Sequence, residues 1–268
     1  RPRMRKSAQN VDAVNLTAEQ QTLLASIPDP MFRQTTRDFC VNQQFRKDYW
    51  VKGGRTLTAL EQAEALRGQR ILLAQPRADV GLKVTGSLGE ATLQEAVYGP
   101  ILDQLADHKP KTLGQLEQAL KATPSTQSLS FAQILQAAMV LSATGAVQAV
   151  QDDAVVQIAK KRTDRLNVYL MTKARSSNEL SYLASPVTGG GVTVPRFQQL
   201  FLLAKQQGHK HPQDWANFVW NILALQNQRL VKDGKTLESV EENLAELTAQ
   251  ASEFAEKQLP ILKALQIA

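Results

Sequence analysis

The chain has 268 residues, 31 Lys and Arg against 25 Asp and Glu, and a formal net charge of +6. Arg1, Arg3, Arg5 and Lys6 supply four of those cations, so the rest carries 27 against 25 and the basic excess is a short tail rather than a nucleic-acid surface. No apolar run approaches the roughly 18 residues of a membrane span, and a lone cysteine, Cys40, excludes an internal disulfide and fits a reducing, cytoplasmic setting.

Apolar content of 43% with 21% charged residues is ordinary globular composition, so a packed core is expected. RPRMRK is followed by no apolar h-region and does not read as a signal peptide.

Residues 16–27 read as a helix, with Thr17 as N-cap and Thr17-x-x-Gln20 as a capping box. Pro28 and Pro30 break it, and residues 31–41 form a second helix. Residues 45–52, FRKDYWVK, are aromatic-rich and read as a strand closed by Gly53-Gly54. Thr58 caps a short helix over 58–68. Strands follow at 71–75, 82–85 and 91–93, the last two joined by Gly86-Ser-Leu-Gly89 as a hairpin.

Helices dominate from Gln94. Val97, Ile101, Leu102 and Leu105 share one face. Thr112 opens a helix carrying Leu113, Leu116 and Leu120. Phe131, Ile134, Leu135, Ala138 and Leu141 mark a third, ended by Gly145 before a strand at 146–150. Three helices and a strand give a winged-helix-like order.

Residues 151–159 read as a linker or the continuation of the wing, and 163–175 as a helix. Residues 180–194, LSYLASPVTGGGVTV, form a second β-like stretch with Gly189, Gly190 and Gly191 at its apex. Pro195 suits the first position of a helix to 207, and Pro212 that of a helix reaching 230. Lys232-Asp-Gly-Lys235 is a turn. A last helix over 237–265 is kinked at Pro260. Its seam, Leu237, Val240, Leu244, Leu247, Ala251 and Phe254, has heptad spacing but is too short for a coiled coil. The expected mate is the preceding helix, with Trp215, Phe218, Val219, Ile222 and Leu223; a dimer is the alternative. The fold class is α+β, predominantly helical. Its three domains are a strand-containing part (16–93), a winged-helix-like part (94–160) and a helical part with a Gly-rich hairpin (161–268).

The candidate chemistry is sparse. No Lys or Arg occurs from Ala122 through Ala159, where a winged helix would meet phosphates, so nucleic acid is disfavoured. The glycine triplet lacks the following helix N-terminus of a phosphate loop; it is a hairpin apex, or a loop that contacts substrate. His209 and His211 sit in a polar loop without a third ligand beyond Asp214. Cys40 reads as a small core residue. Trp215 and Trp220, five apart, place one ring in the core and the other at an edge. Phe45, Arg46, Asp48 and Trp50 lie on a strand with a paired Arg and Asp, or on a docking surface. No nucleotide-type glycine fingerprint and no paired carboxylates stand out, so no catalytic, cofactor-binding or metal residue is assigned.

MFRQTTRDFCVNQQFRKDYWVKGGRTL resembles the methyltransferase regulatory domain of bacterial S-adenosylmethionine (AdoMet)-dependent methyltransferases. That family includes protein lysine methyltransferases of intracellular bacteria. Upstream, LTAEQQTLLASIPDP is similar to the helix that follows the family's catalytic domain. LASPVTGGGVTVPRFQQLFLLA and QRLVKDGKTLESVEENLAELTAQASEF are similar to its tail. In the family these segments follow an AdoMet-binding Rossmann domain, which this chain does not carry. The resemblance implies a non-catalytic regulatory or interaction module. It would act with an AdoMet-dependent catalytic domain in cis and help to position a substrate, protein lysine among the candidates. AdoMet is implied for the parent protein only.

Overall fold

The computed structural model describes residues 12, 15–44, 53–54, 56–86 and 88–268. The chain divides into two compact units. The first comprises Arg1–Leu73 and Arg77–Gln148, the second Ala74–Pro76 and Ala149–Ala268. Both combine helices with small sheets, an α+β architecture.

The first unit opens with α1 (Ala18–Ser26) and α2 (Pro30–Cys40), followed by α3 (Ala59–Arg67). Thr17 caps α1 with the full capping box to Gln20, and Thr58 caps α3 with a second box to Glu61. Next come β1 (Arg70–Leu73), then β2 (Lys83–Gly86) and β3 (Gly89–Thr92), which pair as the antiparallel hairpin expected from Gly86 and Gly89. Three helices follow: α4 (Glu95–Gln104), α5 (Leu113–Lys121) and α6 (Phe131–Ala143). Strands β4 (Lys111–Thr112) and β5 (Val147–Ala149) lie around them.

One sheet has the order β4-β1-β5, with Arg70 opposite Thr112 and Ile71 opposite Lys111 in antiparallel register. Its middle strand therefore comes from upstream of the three helices. Leu73, Ile101, Leu102, Leu105, Leu116, Ile134 and Leu141 fill the core beneath it. Gly145 ends α6 at φ +80°, a left-handed position that favours glycine.

In the second unit α7 runs from Asp153 to Lys173. Residues 153–159 are thus helical, and the expected linker is corrected. The stretch buries only Val156. With Val155 and Ile158 facing water, no buried period marks it as a helix. Strands β6 (Tyr182–Ser185) and β7 (Gly190–Thr193) form an antiparallel hairpin. Gly189 alone sits in the connecting turn, because Gly190 pairs with Ser185 and Gly191 with Ala184. Helices α8 (Arg196–Gln206) and α9 (Pro212–Leu225) follow. Pro195 stands at the N-cap of α8 rather than its first position. Helix α9 stops five residues short of the expected 230. Asn227 turns to φ +53° and the Gln228 N–H donates to Leu223 O, a left-handed C-terminal closure.

Strands β8 (Val231–Lys232) and β9 (Lys235–Thr236) close through Asp233 and Gly234, both at positive φ, the tight turn that Asp-Gly favours. The final helical run starts at Ser239, which caps α10 (Val240–Glu253) with a box to Glu242. A π-helical turn over Phe254–Gln258 leads into α11 (Leu259–Ala264), with Pro260 in its first turn. Pro260 has no N–H for the carbonyl one turn back, and the wide turn before it absorbs the mismatch. As expected, α10 packs on α9. Only the second half of the seam is buried: Leu247, Ala251 and Phe254 are covered, whereas Val240 is exposed. The Phe254 ring lies 5.6 Å from Phe201 and 6.2 Å from Trp215, placing three aromatic rings in one core.

Candidate docking surface on the first helical pair

Phe45, Arg46, Asp48 and Trp50, the strand residues singled out from sequence, lie outside the described residues. The helical pair that leads to them is described and has its own small core. Leu16, Leu24 and Ile27 are buried there, with Cys40 and Val41 packed against them. Cys40 is thus half-buried packing. Pro30 occupies the first turn of α2, and Asp29 Oδ1 accepts from the Phe32 N–H at 2.7 Å.

Two arginines on α2 hold the pair together. Arg33 donates from Nε and Nη2 to the Ile27 carbonyl, at 2.8 and 2.6 Å, and so satisfies the C-terminal end of α1. Arg37 donates from Nε and Nη2 to Asp12 Oδ1, at 2.8 and 2.6 Å. The side chains of this pair are only 13% and 16% exposed, so water screens it weakly and it anchors the approach to α1.

Among the described residues the opposite face of α2 has no partner of this kind. Phe32 is 62% exposed and Phe39 83%. Seven residues apart, they point the same way from the helix. Thr35 and Thr36 lie between them on that face. Each hydroxyl donates to the carbonyl four residues back, Thr35 to Met31 O at 3.0 Å and Thr36 to Phe32 O at 2.9 Å. With both hydroxyl donors spent on the helix's own carbonyls, the threonines offer no free donor between the two rings. An exposed aromatic pair costs solubility unless something covers it, which is the mark of an interaction surface. The signal in the sequence was the Phe32–Phe39 spacing across the polar run Arg33–Asp38.

Residues 6–52 match the family model of a predicted methyltransferase regulatory domain. The regulatory-domain match therefore takes in α1, α2 with its two phenylalanines, and the FRKDYWVK stretch. The chain is also similar to an uncharacterized protein of Synechocystis sp. (strain ATCC 27184 / PCC 6803 / Kazusa), at 39% identity over 257 residues. That alignment covers 96% of this chain and 49% of the relative, so the chain spans about half the length of the curated relative it matches.

Gly189, Gly190 and Gly191, the other sequence candidates, lie in the second unit. Their hairpin is pinned from two sides. Asn167 on α7 accepts from the Ala184 N–H at 2.7 Å and donates to its carbonyl at 2.8 Å. Ser185 Oγ donates to Leu265 O at 2.8 Å and accepts from the Thr188 N–H. Gly189 has φ +70°, and a Cβ there would stand 2.9 Å from Gln151 Nε2. Its left-handed backbone favours glycine, and a Cβ would only push the end of the flexible Gln151 side chain aside, whereas Gly190 and Gly191 are exposed strand residues.

His209 and His211 flank the start of α9. The His209 carbonyl accepts from Trp215 Nε1 at 2.9 Å, and the His209 ring lies 5.8 Å from Phe218. Among the described residues no group of His, Cys, Asp and Glu is arranged to hold a metal ion. No described helix is long and apolar enough to cross a membrane.

Proposed function

We propose that this chain is the regulatory and interaction portion of a bacterial AdoMet-dependent methyltransferase. The reading rests on one coincidence: the regulatory-domain match overlies a helical pair whose outer face presents Phe32 and Phe39. A half-buried arginine clamp holds the pair's geometry while its apolar face stays open, an arrangement suited to covering another domain. That domain is the catalytic part, in the same polypeptide, and AdoMet binds there and not here. The length of the Synechocystis relative, about twice the aligned span, supports a further domain in such proteins. The role of this chain is to position substrate for that domain or to modulate it, with protein lysine as the acceptor class. Work inside the cytoplasm accords with the single thiol.

The middle of the first unit, with α4, α5, α6 and the β4-β1-β5 sheet, has a winged-helix-like order in which β1 takes the place of the returning wing strand. We read it as a protein-contact element. The 122–159 stretch has no cation to offer phosphates, which weighs against the alternative of a DNA-binding regulator.

Calorimetry tests the reading. The chain alone should show no heat with AdoMet, and micromolar binding would sink the proposal. The half of the Synechocystis relative beyond the alignment, supplied as a separate polypeptide, should bind AdoMet and be retained by this chain. Retention should fall when Phe32 and Phe39 are both replaced by serine.

A further inference from the structure

We propose that the outward face of α7 is a docking surface for an acidic protein partner that carries apolar side chains among its carboxylates. The helix is 21 residues long and buries one narrow side, through Val156, Asn167 and Met171. The opposite side carries Ile158, 76% exposed, with Leu166 and Tyr169 further along and Val155 before it. At 100° per residue these apolar positions fall within roughly 80° of one another. They therefore form one stripe along about four turns.

Arg162 lies in the middle of that stripe and Arg165 at its edge. Both are exposed, and neither has a carboxylate partner among the described residues. Lys173 closes the stripe, its Nζ 5.5 Å from the Tyr169 ring centroid. The acids of α7 lie elsewhere. Asp164 is on the flank, paired with Lys160, and Asp153 is in the first turn on the packed side. The outward face is cationic and apolar, with no negative group of its own.

That interleaving decides between three occupants. A helix that lies in a membrane surface keeps its cations at the edges of the apolar face, where they reach headgroups. Here the Arg162 guanidinium sits mid-stripe and would be driven into the acyl region. A nucleic-acid backbone would pair the cations but leave Val155, Ile158 and Leu166 against a polyanion with no apolar contact. A protein surface with carboxylates spaced among apolar side chains satisfies both halves of the face at once. The face lies outside the regulatory-domain match and its proposal stands apart from the reading above.

The test is fluorescence anisotropy of the full chain with a labelled random copolymer of glutamate and tyrosine. Polyglutamate, duplex DNA and phosphatidylserine–phosphatidylcholine vesicles serve as comparisons. The chain should bind the copolymer more tightly than polyglutamate. Affinity should fall about tenfold or more in Arg162→Glu/Arg165→Glu and comparably in Ile158→Ser/Tyr169→Ser, whose exposed positions leave folding intact by circular dichroism. Charge reversal at exposed Lys210 should change little. Failure to bind the copolymer, or equal loss from Lys210→Glu, would overturn the proposal. So would tighter binding to vesicles or DNA.

Discussion

Glu117 on α5 accepts from Arg67 Nε on α3 at 2.7 Å, joining two helices fifty residues apart in sequence. The same carboxylate accepts from Lys121 at 2.7 Å, and the Arg67 guanidinium lies 4.3 Å above the Phe131 ring at the start of α6. One arginine thus links three helices of the first unit. The hydrogen bonds from Arg67 and then Lys121 hold the Glu117 carboxyl below the ordinary carboxylate range, and its bond to Glu117 raises Arg67 in turn. A carboxyl depressed on folding stabilises the native state fully above its unfolded pKa of about 4.3 and loses that contribution as pH falls through its lower folded value. Wild type should therefore be more thermostable than Glu117→Gln at neutral pH, and the gap should close on acidification. Melting temperatures across the acid limb measure it; a constant gap would refute the linkage.

Asn243 on α10 is fully buried and serves three backbone groups. Its Oδ1 accepts from the Leu230 N–H at 2.9 Å, and its Nδ2 donates to Leu237 O at 2.9 Å and Ser239 O at 2.7 Å. It fixes the β8–β9 hairpin to the helix that follows. Asn243→Leu strands these groups away from water and should cost about 2–4 kcal/mol by denaturant unfolding. Asn243→Asp keeps the Leu230 bond but sets a carboxylate against two carbonyls. It should be severely unstable at neutral pH and recover in acid, when the protonated oxygen donates.

The glycine triplet separates by position. Gly189→Ala must hold φ +70° and displace Gln151, and should destabilise by about 1–2 kcal/mol. A Cβ at Gly191 meets Tyr182 at 3.7 Å, ordinary contact, and one at Gly190 meets nothing, so alanine at either should stay within about 0.5 kcal/mol. If Gly190→Ala or Gly191→Ala abolished methyl transfer by the parent protein with stability unchanged, the hairpin would be a substrate-contacting loop after all.

What the sequence revealed was local. Thr17 with Gln20 and the Asp233-Gly234 turn act within a few residues, and each stands where its pattern says. The core faces of α4, α5 and α6 followed from helical period, because Ile101, Leu116 and Ile134 repeat on the same side as their neighbours. The pairing of β1 with β4 escaped, since Arg70 and Thr112 are 42 positions apart and nothing in either segment names its partner. The start of α7 escaped for the opposite reason: its apolar residues face water, so its period carried no core signal. The Phe32–Phe39 spacing was visible on α2, but the adjoining FRKDYWVK stretch drew the docking reading instead.

The helical pair offers a direct contrast between its two faces. Leu24 is buried in the small core with Leu16 and Ile27, and Leu24→Ala should cost about 2–4 kcal/mol and loosen the pair. Phe32→Ser/Phe39→Ser removes rings that are mostly in water, so stability should change by no more than about 0.5 kcal/mol per site while solubility rises. Arg37→Ala occupies the middle case: it leaves both rings in place but frees Asp12 and the approach to α1. If the face docks the catalytic part, the phenylalanine variant loses association at full stability. The Leu24 variant then loses association only in proportion to unfolding. Measuring retention of the catalytic half beside thermal unfolding for all three variants separates a docking face from a merely exposed one. Undiminished retention by the phenylalanine variant would remove α2 from the interface.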